Sequence, residues 1–552
     1  MPLVTMKPVM PSRVRCVVQA WPSWWAQKMC IATLVSAPLY LGAQPASTPD
    51  AVVQNGPVFA IRGFDIVGES PLSSADVSRA VAPFLRSDAT IETLQKATAA
   101  LEAALKEKGF ALHRVSLPPQ EVGGVVKLNI VKFLIGKVSM DGRVALSEAN
   151  IRASVPELAE GTAPNFRTLA VQTAIANESQ AKRIQVALKE SEEADKIDAR
   201  IVVTEARPWN FSATTSNTGS PATGNDRLTL AAGHANLFDS DHQLTLAYTT
   251  SLERPAAVNQ AGLNYRVPLY RLGGVVGASV TQSSVLGEFG SFKSTGTGRT
   301  MGVNYSHYLP PVGGFRSYLG VAVDDKQFDV TQINGVPLAG QSVRRSVPLT
   351  LGYTARLESD TAVWGFNLDV ATNLATGASG NDLASYRTED TRINSVLWNA
   401  VRGGGNYAAG WANGWMWGVR GQFQYSADAL IAGEQFGLGG ATSVRGMAER
   451  SMAGDSGAML SAEVTSRELS PGLRMLGFVD AGWLGNNNST ANKPQSDSVS
   501  SAGVGLRFVQ PVFSVTADYG RVIGGSVLPA VANSSIPKVG DDKLHVNLSA
   551  RF

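Results

Sequence analysis

One arginine stands in a loop otherwise built mostly of glycine and small residues, Gly433-Glu-Gln-Phe-Gly-Leu-Gly-Gly-Ala-Thr-Ser-Val-Arg-Gly446. A guanidinium is a planar, permanently charged fork. In a narrow, poorly hydrated space it gains most from a carboxylate that accepts both prongs, and this is why Arg rather than Lys suits such a place. That chemistry is clamping, not bond breaking. Two nearby motifs invite catalytic readings and fail on their partners. Gly454-Asp455-Ser456-Gly457 has the wording of a serine-protease nucleophile segment, but a triad needs a base held by an acid. The five histidines are scattered at 113, 234, 242, 307 and 545, so the segment reads as a polar turn after the arginine loop. Gly437-Leu-Gly439-Gly440 opens no apolar helix and makes a weak phosphate loop. There is no His-Glu-x-x-His, no cysteine pair and no clustered carboxylate set. The sequence asks for no metal, no cofactor and no enzyme activity.

The arginine loop sits within a long series of short strands. Beyond Arg207-Pro-Trp209 helical periodicity vanishes and alternation takes over. Leu244, Leu246 and Tyr248 face one way and Gln243, Thr245 and Ala247 the other, and Trp415, Trp417, Val419, Phe423 and Tyr425 repeat the scheme. Alternating apolar and small-or-polar faces fit a wall with lipid outside and water inside. No apolar segment after residue 43 approaches the ~18 residues of a spanning helix. A membrane-spanning chain of this kind must therefore close into a β-barrel, because an open sheet would leave backbone groups unpaired in lipid. The last segment, Leu544-His-Val-Asn-Leu-Ser-Ala-Arg-Phe552, places Leu544, Val546, Leu548, Ala550 and Phe552 on the lipid side. About 345 residues, at roughly ten per strand plus turns, allow on the order of sixteen strands, wide enough for an aqueous lumen. The 55 glycines suit many turns and close-packed strands. Polar stretches from Gln282 to Thr300, Thr372 to Arg387 and Gly485 to Ser498 are expected as solvent-exposed loops.

Upstream, from Pro57 to about Ile130, the order is strand, helix, helix, strand, strand. Phe64-Asp-Ile-Val-Gly68 is a strand and turn, Ser73 or Ser74 caps a helix through Leu85, and Thr90 opens a second helix. Leu94, Ala97, Leu101 and Leu105 give that helix its apolar face, and Gly109 stops it. Strands follow at Ala111 to Leu117 and Val125 to Val131. The order then repeats: strand Ile135 to Asp141, helices Ser147 to Val155 and Asn165 to Glu178, strands Ile184 to Lys189 and Ile197 to Glu205.

The first 43 residues hold Lys7, Arg13, Arg15 and Lys28, no acid, an apolar run from Ile31 to Leu41 and a small-residue end at Leu41-Gly42-Ala43. This reads as a signal peptide cut near Ala43. Its removal takes the formal charge from +3 to about −1, so the basicity is targeting and not a nucleic-acid footprint. Both cysteines, Cys16 and Cys30, leave with it.

These ordered features resemble the two-partner-secretion transporters, the haemolysin secretion/activation proteins of the Gram-negative outer membrane, which share a superfamily with BamA-type insertases. Phe64-x-Ile66-x-Gly68 and Gly109-Phe110 match the wording of a POTRA domain, while the second unit is looser and has no Gly-Phe at its helix exit. The resemblance implies a signal peptide at residues 1–43, a short segment at 44–57, POTRA 1 at 58–132, POTRA 2 at 133–206 and a transmembrane antiparallel β-barrel of about 16 strands at 207–552. In the family the sixth outer loop enters the lumen, and its Val-Arg-Gly-Tyr tip meets an acid in a Phe-x-Asp-x-Gly wall motif. Val444, Arg445 and Gly446 match, with Met447 where an aromatic is usual, and Phe478-Val-Asp480-Ala-Gly482 carries the wall motif. The expected pair is Arg445 with Asp480, with Glu463 as second acceptor. Phe552 resembles the terminal signal by which the barrel-assembly machinery recognises a barrel. The implied partner is a secreted exoprotein, an adhesin or haemolysin, captured as an added strand at a POTRA sheet edge and driven outward by its own folding. A monomer in outer-membrane lipid is expected, with no nucleic acid. Some members carry an N-terminal plug helix. Gln44 to Val58 is too short for helix plus linker at ~1.5 Å per residue, so the arginine loop is expected to be the only plug. The alternatives are an assembly factor for other barrels, which usually has more POTRA domains, and a passive porin.

Overall fold

The computed structural model describes residues 58–552 apart from 122, 286, 290, 291, 295, 296, 331, 334, 335, 338 and 530–534. The expected signal peptide, the segment 44–57 and the question of a plug helix lie outside the described residues.

The first unit begins with the strand Gly63–Val67. Ser73 caps the helix Ser74–Val81 by accepting the Asp76 amide at 3.1 Å. That helix ends earlier than the expected Leu85. Pro83 has no N–H to continue the ladder, so Ala82–Phe84 tightens into a 3-10 turn. Thr90 and Thr93 close a capping box on the helix Ile91–Glu107, whose Leu94, Ala97, Leu101 and Leu105 are buried. Gly109, at φ +97°, ends it. The strand Val125–Lys132 lies between Gly63–Val67, parallel to it, and His113–Ser116, antiparallel.

The second unit repeats that topology. Lys196–Glu205 is central, parallel to Leu134–Asp141 and antiparallel to Lys182–Glu190. Its helices, Glu148–Ser154 and Phe166–Ala176, start at Ser147 and Asn165. The apolar core of this unit, around Ile135, Ile151, Leu169, Ile175 and Ile201, continues into Tyr270, Val275 and Tyr308 of the next part of the chain.

That part is a closed antiparallel barrel running from Trp209–Ser216 to Asp542–Arg551, which pair with each other at the seam. It has sixteen strands, the eighth broken at Val347 into Arg344–Ser346 and Pro348–Glu358, both paired with Phe315–Phe328. At the break the Val347 amide donates to the Asn373 side chain at 2.6 Å, so no backbone donor is stranded. Leu246 and Tyr248 are exposed while Ala247 and Thr249 are buried, the lipid-and-lumen alternation of a membrane wall. Near the turns closest to the second unit, Trp209 stacks on Phe211, Trp364 on Phe366, and Tyr407 packs on Trp417. They mark one membrane boundary as an aromatic girdle.

On the opposite side, two loops fold inward. One, 426–455, is the sixth on that side. The other, 374–398, corrects the expectation of an exposed loop from Thr372 to Arg387. It carries the short helix Leu383–Arg387, and Tyr386, Ile393 and Trp398 are fully buried against Ala429, Leu430 and Ile431 at the base of the sixth loop. Its abundant polar residues hide three apolar anchors, and those decide its path.

Candidate functional site

The wall beneath the sixth loop is made by the strands Ser456–Thr465, Leu473–Gly485, Ser496–Val509, Phe513–Gly524 and Asp542–Arg551. Because strand side chains alternate, Phe478, Asp480 and Gly482 share the inner face while Val479 and Trp483 are exposed to the outside. Register places Ser461 on one side of Asp480 and Ser501 on the other.

Arg445 reaches into this surface and is 1% exposed; Asp480 is 0% exposed. The guanidinium grips Asp480 with both prongs, Nε to Oδ2 at 2.8 Å and Nη2 to Oδ1 at 2.8 Å, and the Arg445 amide adds a third bond to Oδ2 at 3.0 Å. Nη1 lies 2.6 Å from Glu463 Oε1 and 3.7 Å from Asp518 Oδ2, and Nη2 also donates to Ser461 Oγ at 3.2 Å. Arg507 takes the other side of Asp518 in a two-pronged pair. Arg445 Cζ stands 3.4 Å from the centroid of the Phe478 ring, a desolvated cation–π contact worth about 2 kcal/mol. Such a buried charge is tolerable because every prong is met. The structure thus brings together Arg445, Asp480, Glu463 and Phe478 of the residues singled out from sequence.

The flanking residues seat the tip. Gly446 has φ +90° and lies so close to the opposite strand that a Cβ would stand 2.8 Å from the Gly520 carbonyl carbon. Val444 and Met447 are buried with Leu438, Met459, Leu484 and Val522. Methionine, flexible and apolar, fills the place expected of an aromatic. Phe552 is apart from this cluster: its backbone pairs with Phe211 across the seam, Phe552 N to Phe211 O at 2.9 Å, and the residue is 74% exposed.

Sequence reasoning missed further participants besides Ser461, Asp518 and Arg507. The Gly446 amide donates to His545 Nε2 at 3.2 Å, so the tip also holds the last strand. Only the lumen side of an otherwise apolar alternation hinted at that histidine. Nearer the mouth, Glu434 of the same loop, 1% exposed at the side chain, accepts from Arg402 at 2.8 Å and Ser346 at 2.7 Å and pairs with Lys326 at 3.0 Å. Finally, Asp455 belongs to no simple polar turn. It is fully buried, ion-paired with Arg392 of the loop 374–398 at 2.9 Å, and accepts the Leu430 and Asn487 amides. No catalytic geometry forms at Ser456, whose hydroxyl bonds to the Ser426 backbone.

Two α+β units followed by a closed barrel are a fold that known proteins share. The family described as haemolysin secretion/activation protein ShlB/FhaC/HecB matches residues 195–508, more than half of the chain, and the ShlB-type POTRA domain matches residues 59–132. This chain belongs to that family. It is an outer-membrane β-barrel protein of the two-partner-secretion type, with its POTRA region in the periplasm. The outer membrane transporter CdiB of Escherichia coli is 21% identical over 482 residues, covering 84% of this chain and 78% of the relative. Among solved structures, CdiB from Escherichia coli superimposes with a TM-score of 0.70 at 18% identity, covering 92% of this chain and 93% of that one. CdiB from Acinetobacter baumannii gives 0.68 at 16% identity, covering 91% of each. These likenesses establish the shared fold.

Proposed function

We propose that this transporter exports one large secreted partner protein of the adhesin or haemolysin type, taken up as an extended chain at the sheet edges of its two periplasmic units and passed through the barrel. The sixth loop is the latch of that pathway. The observation that carries the reading is the two-pronged Arg445–Asp480 pair, buried inside the lumen and backed by Glu463 and Phe478. A buried charge cluster fixes one loop position and resists its drift, which suits a pore that stays sealed at rest and reshapes when a client arrives. Folding of the partner outside supplies the direction of transport. Arg445→Ala tests the latch: the variant should insert normally, judged by heat-modifiable migration of the barrel, while export falls sharply. Full export by that variant would exclude the latch role.

A further inference from the structure

Another buried charge pair lies on the far side of the barrel from the outer mouth, where the second periplasmic unit meets the barrel. Lys182, at the start of the strand Lys182–Glu190, has a fully buried side chain. Its ammonium spends all three protons inside the protein, on Asp241 Oδ2 at 2.6 Å, Asn150 Oδ1 at 2.6 Å and Ser154 Oγ at 2.5 Å. Asp241 belongs to the barrel, in the periplasmic turn 238–241, and also accepts from Tyr270 OH at 2.6 Å and Asn150 Nδ2 at 3.2 Å. The turn is shaped for this contact. Phe238, Asp239 and Asp241 all have φ between 51° and 59°, a conformation uncommon for non-glycine residues and rarest for a bulky one. Asp239 accepts the Ser147 amide at 3.2 Å, at the cap of the unit's first helix. Alongside, Glu178 of the same unit takes Tyr308 OH at 2.7 Å and Arg266 Nη2 at 3.1 Å from two barrel strands.

An apolar contact can slide; a buried ammonium with three fixed acceptors has one position. We propose that Lys182 is a positioning residue for transport, keying the second periplasmic unit to the turn 238–241 so that this unit and the barrel form one rigid body. A client segment held on the unit then enters the barrel in a single orientation. This rests on the export reading above. Bending of the periplasmic region belongs elsewhere along the chain, not at the linker 206–208.

The test uses the exported protein, which is expected to keep neither Cys16 nor Cys30, with spin labels on cysteines introduced at the exposed positions Glu192 and Thr361. Wild type should give one narrow distance distribution. Asp241→Asn leaves the Lys182 ammonium facing a neutral amide; the distribution should broaden and export should drop to below about a tenth, with barrel insertion intact. Lys182→Met/Asp241→Asn removes the stranded charge but also the key, so the distribution should stay broad and export low; return of both to the wild-type values would show that a stranded charge, and not loss of the key, disturbed the single variant, and would overturn the proposal. A broad distance with full export in Asp241→Asn, or an unchanged distance in that variant, would overturn the proposal. The distance measurement decides the junction even if the wild-type protein exports nothing, in which case the export reading fails separately.

Discussion

Asp480 and Glu463 hold the same guanidinium on unequal terms. Asp480 is wholly buried and takes three bonds from Arg445, whereas the Glu463 side chain keeps 12% of its surface and touches one prong. Removing a charge that is fully desolvated strands its partner, at a cost of about 3–5 kcal/mol; a partner that keeps part of its hydration and meets one prong costs less to remove. Asp480→Asn should therefore loosen the loop far more than Glu463→Gln, read as protease sensitivity of residues 426–455 and as channel opening in planar bilayers. Equal effects would mean that the two carboxylates share the load. His545→Leu should cost about 1–2 kcal/mol of loop docking by orphaning the Gly446 amide, visible in the same protease assay. Arg445, Asp480 and Glu463 were legible in the sequence because the motif resemblance puts them within reach of one another. His545, Ser461 and Asp518 were not, since an inward-facing polar residue becomes a neighbour of the loop only once five strands are set in register.

The barrel strands announced themselves through alternation, and the helices of the first unit through caps and spacing. Loops did not. The stretch 374–398 looks polar in composition, but Tyr386, Ile393 and Trp398 turn it inward and Arg392 fastens it to Asp455 of the sixth loop. Long-range partners of that kind leave no local period to read. The seam is another element the sequence concealed. Asp542–Arg551 and Trp209–Ser216 share five register pairs, against thirteen between Leu473–Gly485 and Ser496–Val509. Asn217 lengthens this short ladder with its side chain, which imitates a peptide group: Nδ2 donates to the Leu544 carbonyl at 2.6 Å and Oδ1 accepts the Val546 amide at 2.8 Å. Asn217→Ala loses both bonds, a cost of about 1–3 kcal/mol. The expected result is a lower temperature for loss of the folded, heat-modifiable form. An unchanged temperature would show that the side-chain bonds add nothing to closure.

At the scale of the molecule, three charge clusters divide the labour along one axis. Lys182–Asp241 ties the periplasmic unit to the barrel, Arg445–Asp480 clamps the sixth loop inside it, and Arg392–Asp455 joins that loop to its neighbour at the outer mouth. A passive pore for small solutes has no use for such a sequence of holds, whereas the proposed conduit for a long chain would have to be sealed between clients. The fold was legible as a whole because two α+β units followed by alternating strands admit few architectures. The proposed client was not, since recognition of an extended chain as an added strand works mainly through the backbone and would leave little imprint of the client's identity. The most direct measurement is quantitative proteomics of culture supernatant and outer membrane from a strain lacking this protein, compared with the same strain restored by the wild-type or the Arg445→Ala gene. Loss of one or two large secreted proteins, regained with wild type but not with Arg445→Ala, over an unchanged outer membrane, is the result expected of a dedicated, latched exporter. Broad depletion of other barrels, or no change in either fraction, would contradict it.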